Sequence, residues 1–140
     1  MTGMTIEQAA QVLKDNFAPW IQELGLKMEA IEPGRVTLRL PFDERLTRVG
    51  GMVCGQAIMA AADTAMVFAV ASSLGGFQDM ATVSQNTSFF RAAVKVDTLI
   101  EARVIKRGRS LVFGEVTLYP EGGTEPLAQA TLTYALAGPK

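Results

Sequence analysis

Apolar residues recur at Ile6, Ala9, Ala10, Leu13 and Phe17, the spacing of one helix face, behind a Thr5-x-x-Gln8 pair that can form a capping box. A short amphipathic helix is predicted from Thr5 to about Ile21, ending near Pro19. From Leu24 to Leu40 the apolar residues alternate in two runs broken by Glu32-Pro33-Gly34, with Val36, Leu38 and Leu40 on one face, which predicts a hairpin. Residues 43–51 are polar and then glycine-rich. The longest apolar stretch follows, Met52 to Leu74, with Ala at 57, 60, 61, 62, 65, 69 and 71, and predicts a buried helix. After Gly75-Gly76 the pattern returns to strands, at about 80–90, 96–106, 110–119 and 127–137. Turn signals such as Lys106-Arg107-Gly108-Arg109 and Pro120-Glu121-Gly122-Gly123 separate them.

The order is helix, hairpin, long apolar helix, then an antiparallel meander. It predicts an α+β fold in which one helix lies against a curved sheet. A helix apolar nearly all round needs cover on the side the sheet leaves open, and a partner subunit is the natural one. About 20 apolar residues also suffice to cross a bilayer. That alternative would put Gln56 and Asp63 in hydrocarbon, where an Asp alone costs about 2.5–3.5 kcal/mol at mid-span.

Length changes the picture only by pointing to one domain over residues 1–140. Charge changes it more: 13 Lys and Arg against 14 Asp and Glu, with no basic block, leave no footprint of a nucleic-acid binder. Cys54 is the single cysteine, which excludes an internal disulfide and a cysteine-based metal cage and suits a reducing cytoplasm. No basic segment leads into an apolar one at the start, so no signal peptide is expected. There is no histidine. Ser-His-Asp and Cys-His nucleophile systems and histidine-based zinc hydrolases are thereby excluded, and acid–base chemistry must rest on a carboxylate, Lys, Tyr or Cys.

Asp63 is the one charged residue between Arg48 and Asp79, and it lies mid-helix among alanines. A carboxylate so placed is either a structural Asp hydrogen-bonded across a helix contact or a working group. Gly55 falls in the first turn of the same helix, where backbone N–H groups lack intrahelical partners and can hold an oxyanion, or where a glycine simply eases the chain into the helix. The two are eight residues apart, about 12 Å along a helix axis. One chain cannot bring both to the same carbonyl. Two copies packed antiparallel about a twofold axis can, with two equivalent sites per dimer.

The frame Cys54-Gly55-Gln56, six residues, then Asp63-Thr64-Ala65 resembles the His-Gly-Gly, six residues, Asp signature of hotdog-fold acyl-CoA thioesterases, in the branch similar to the phenylacetate-pathway PaaI enzymes. The resemblance runs from Leu24-Gly25 and Gly34-Arg35-Val36 through Asn86 and Phe89-Phe90-Arg91 to Asp97-Thr98-Leu99 and the final strand. It implies hydrolysis of acyl-CoA to free acid and CoA, with Asp63 as nucleophile or as general base for water and the Gly55 N–H holding the carbonyl oxygen. Thr82 stands where relatives often carry a Ser that orients water or carboxylate, though a strand Thr is also ordinary structure.

The departures are Cys54 for His, Gln56 for the second Gly, and Arg48 for the Asn six residues earlier. Cys54 is expected to pack as a small side chain beside the substrate, and Gln56 to donate towards the thioester carbonyl or to narrow the pocket. Arg91, Lys95, Lys106, Arg107 and Arg109 are expected on turns flanking the groove for the nucleotide end of coenzyme A, each with an alternative as a solvated charge. The resemblance implies no cofactor beyond the CoA of the substrate, and a homodimer at the least or a dimer of dimers. Two other readings stay open: an acyl-CoA binder that has lost turnover, and a hydratase or dehydratase, which the missing histidine disfavours.

Overall fold

The protein is described here by a computed structural model covering residues 4–137. The first helix, α1, is Ile6–Asn16, and its capping box forms as the sequence predicts: the Thr5 hydroxyl accepts from the Gln8 N–H and the Gln8 side chain accepts from the Thr5 N–H. It ends short of Ile21. Phe17 and Ala18 turn extended, as the residue before a proline prefers, and a separate four-residue turn, α2 (Pro19–Gln22), follows. The aromatic ring of Phe17 stacks on that of Phe68, with centroids 5.6 Å apart.

The hairpin is β1 (Lys27–Glu32) and β2 (Arg35–Leu40). Its two-residue turn places Gly34 at a φ of 76°, which a side chain would strain. After a 3-10 turn at Glu44–Leu46 comes α3, Gly55–Leu74, three residues shorter than the apolar run suggests. Met52 and Val53 instead pair with Val94 and Thr47, and the Cys54 N–H donates to the Leu46 carbonyl. Those bonds hold residues 52–54 extended, so the helix starts at Gly55. Then come β3 (Met80–Phe89), β4 (Thr98–Arg107), β5 (Leu111–Pro120) and β6 (Ala128–Leu136).

The six strands form one antiparallel sheet in the order β1-β2-β4-β5-β6-β3. Period-two burial puts Val36, Leu38 and Leu40, Ile100 and Ala102, Val112, Val116 and Leu118, and Ala128, Ala130, Leu132 and Tyr134 on the inner face, around α3. The sheet covers α3 closely because the helix presents Ala61, Ala62, Ala65, Ala69 and Ala71 to it, all fully buried. This helix is also the one segment among the described residues long and apolar enough to span a membrane, and most of it is buried inside the fold.

Gly114 on β5 shows how tight the fit is. A Cβ there would overlap the end of Met66 and come within 2.8 Å of the Arg103 carbonyl oxygen. Met66 can swing away but the backbone of β4 cannot, so Gly114→Ala should lower stability by about 1–3 kcal/mol, read from the midpoint of a urea titration. An unshifted midpoint would mean that the sheet relaxes freely here.

Among the described residues, two adjacent strips on α3 and β3 stay uncovered. Gln56, Met59, Ala60 and Asp63, at helical spacing on α3, are exposed or half-buried, with Met59 41% exposed. Beside them runs β3, a ten-residue edge strand with Val83 and Phe89 more than half exposed.

Candidate active site

Asp63 is half-buried, at the edge of the stripe that faces away from the core. Its Oδ1 accepts a hydrogen bond of 2.9 Å from the Thr82 hydroxyl on β3 and a short one from the Tyr134 hydroxyl on β6. The same Tyr134 hydroxyl lies 2.7 Å from the Asp63 main-chain oxygen. Among the described residues nothing donates to Oδ2. Thr82 and Tyr134 face each other in the β3–β6 ladder, where the register slips between Thr82 and Ser84, a bulge of the kind that re-aims a side chain.

Tyr134 was not among the residues the sequence singled out. It continues the inward row Ala128, Ala130, Leu132 and is 1% exposed, so it reads as core. The signal that could have found it is chemical: a phenol on a wholly apolar face must find a partner for its O–H. Burial first, and then the adjacent Asp63 charge, hold the Tyr134 hydroxyl well above its ordinary pKa, so it stays protonated and donates. This has a sign. In the unfolded chain Tyr134 ionises near pH 10, whereas in the folded chain it keeps its proton above that value. The folded state then binds more protons than the unfolded one, so stability falls as pH rises past about 10. Urea midpoints at pH 8.5 and 10.5 should show that fall, and Tyr134→Phe should reduce it; an equal fall in the variant would assign it elsewhere.

Gly55 opens α3 as expected in its first turn. The preceding residue, Cys54, makes no side-chain cap hydrogen bond, so the first-turn N–H groups are left for solvent or a ligand. Two cavities flank this end. One, of about 210 Å³, is lined by Gly55, Ile58, Phe89 and Leu127 with Arg48 and Arg91 at its polar edge. The other, of about 320 Å³, holds Cys54 and Gln56 with Trp20, Leu24 and Leu46. Lys95 lies nearby, one residue from the Met52–Val94 bridge.

The remaining cations are elsewhere. Arg107 donates to the Ser73 carbonyl in the last turn of α3, at 2.6 Å, and Lys106 and Arg109 share its turn. In a single chain, therefore, the five basic residues form two groups at opposite ends of α3, not one. Arg91 is paired with Glu125 and Arg48 rests on the Met52 sulfur. Gly55 and Asp63 lie on one unbroken helix, which keeps them about 12 Å apart along the axis.

The sequence profile of the thioesterase superfamily matches residues 50–127, from the glycine-rich loop to the start of β6. The chain belongs to this superfamily. It is accordingly a thioester hydrolase with the hotdog fold, a long apolar helix wrapped by an antiparallel sheet. A Saccharolobus solfataricus protein described as an esterase is 30% identical over 81% of this chain and 74% of its own length. A structure described as a thioesterase from Silicibacter sp. TM1040 superposes with a TM-score of 0.83 at 31% identity, over 99% of this chain and 95% of that one. The E. coli PaaI protein from the phenylacetic acid degradation operon superposes with a TM-score of 0.82 over 95% of this chain and 96% of its own; at 14% identity it speaks for the fold.

Proposed function

We propose that this thioesterase hydrolyses acyl-CoA at a site shared by two copies of the chain. The observation that carries the reading is the geometry of α3: an oriented carboxylate and an uncapped helix start sit about 12 Å apart on one rigid helix, beside a face the fold leaves uncovered. An antiparallel partner helix brings Gly55 of one copy to Asp63 of the other. The Asp63 carboxylate then attacks the thioester carbon directly, or takes a proton from a water that does so. Charge arriving on the carbonyl oxygen meets the first-turn N–H of Gly55, where the helix dipole is positive. The carbon–sulfur bond breaks and CoA leaves. In the general-base route its sulfur takes the proton that Asp63 removed from water. In the nucleophilic route it leaves as thiolate and takes a proton from solvent, after which water cleaves the acyl–Asp63 anhydride to free the acid and the carboxylate.

Gln56 is exposed beside Gly55 and within the reach of a side chain, which suits donation to the same oxygen. Arg48 and Arg91 suit the anionic end of the substrate near Gly55. With the helices antiparallel, Lys106, Arg107 and Arg109 of the second copy fall on the Gly55 side of the site. The cytoplasm suits the one free thiol. Incubation with a panel of acyl-CoAs and a free-thiol reagent tests the activity: thiol release that saturates with substrate supports it, and saturable binding without release makes the protein a binder.

A further inference from the structure

We infer that Tyr134 is a positioning residue for the reaction, one that fixes which oxygen of Asp63 meets the substrate; this rests on the reading of Asp63 as the working carboxylate. A carboxylate turns easily about its last torsion, because terminal bonds of this kind have broad rotational preferences. Here it is not free to turn. The hydroxyls of Thr82 and Tyr134 both donate to Oδ1, from two neighbouring strands, and they fix Oδ1 against the sheet. Among the described residues no donor meets Oδ2, and Asp63 is half-buried on the uncovered stripe.

The second contact of Tyr134 adds to the role. Its single proton has two acceptors on the same residue, the carboxylate Oδ1 and the main-chain oxygen. When Oδ2 takes a proton or an acyl group, the negative charge leaves the carboxylate and Oδ1 becomes a weaker acceptor. The main-chain oxygen remains, so the buried phenol is satisfied in both states and need not move. Tyr134 can therefore hold Asp63 through the cycle without giving up its own proton, which its burial discourages.

The test is Tyr134→Phe, which keeps the ring in the core and removes the hydroxyl alone. With an acyl-CoA that the wild type turns over, kcat should fall roughly ten- to hundredfold, the scale of a lost hydrogen bond to a charged group, with KM held within about twofold. Thr82→Val should lower kcat less. The double variant should lose less than the product of the two, because both donors serve one oxygen. In an Asp63→Asn background, Tyr134→Phe should cost no further activity. A folded, dimeric Y134F with wild-type kcat overturns the inference while Asp63→Asn remains dead. If Asp63→Asn is itself active, the reading of Asp63 has failed first. Should Y134F prove too unstable to assay, 3-fluorotyrosine in a Tyr119→Phe background keeps ring and hydroxyl and changes only donor strength. A severalfold change in kcat at constant KM then supports the inference, and an unchanged kcat overturns it.

Discussion

Asp63→Asn should leave about a hundredth or less of thioester turnover while the fold persists. Asn keeps the shape, and its Oδ1 can still accept from Thr82 and Tyr134. What is lost sits at the other position, where an amide nitrogen can neither attack a thioester carbon nor take a proton, and an acid–base group is usually worth 10²–10⁴-fold. Near-wild-type turnover in a folded variant would make Asp63 structural. The same variant tests whether the site is shared. Gly55→Val should disable the other end, because even a Cβ at Gly55 comes within 3.3 Å of the Phe89 ring and crowds the helix start. In a heterodimer of the two variants, one site carries both defects and the other neither. Differently tagged chains purified as a heterodimer should recover about half the wild-type activity per dimer. A heterodimer as dead as its parents, yet folded, would place both working groups in one chain.

Met59→Asp should dissociate the protein and silence it at assay concentrations. If Gly55 of one copy meets Asp63 of the other, the twofold axis passes midway between them on α3, at residue 59. The side chain there is an exposed Met, 41% accessible, between Gln56 and Asp63 on the uncovered stripe. An Asp at that point sets two like charges together across the axis and removes the apolar contact, and such juxtaposition costs several kcal/mol. The dimer dissociation constant should rise at least about a hundredfold, read by sedimentation over a concentration series. Activity should fall with the dimer and return in part at high protein concentration. An M59D protein that stays dimeric and active would move the interface off this face.

Much of the fold was legible because local pattern decides it. The Thr5 and Gln8 cap, the Pro33-Gly34 turn, the apolar run of α3 and the period-two strands each carry their own signal within a few residues. The ends were less legible where distant contacts decide them. Residues 52–54 look helical by composition, yet their pairing with Thr47, Ala93 and Val94 holds them extended. The candidate site divides in the same way. Asp63 and Gly55 stood out as a charge and a glycine in an apolar run. Tyr134 lies 71 residues from Asp63 and matches the inward period of β6, so nothing local sets it apart from core. The basic residues could be named but not placed: strand order puts the β4–β5 turn at the far end of α3, and that order is a property of the whole sheet.

If Gly55 is the oxyanion donor proposed above, the bare start of α3 has a consequence for how stability and activity are balanced. A Ser, Thr or Asp at position 54 would accept from the N–H of Gln56 or Ala57 and contribute about 1 kcal/mol to the helix. Cys54 makes no such bond, so the chain forgoes that stabilisation at the end of its central helix. A capping oxygen there would sit one residue from the Gly55 N–H, and an Asp would bring a full negative charge towards an oxygen that is itself becoming negative. Stabilising this helix at its first turn and stabilising an oxyanion beside it draw on the same partial positive charge.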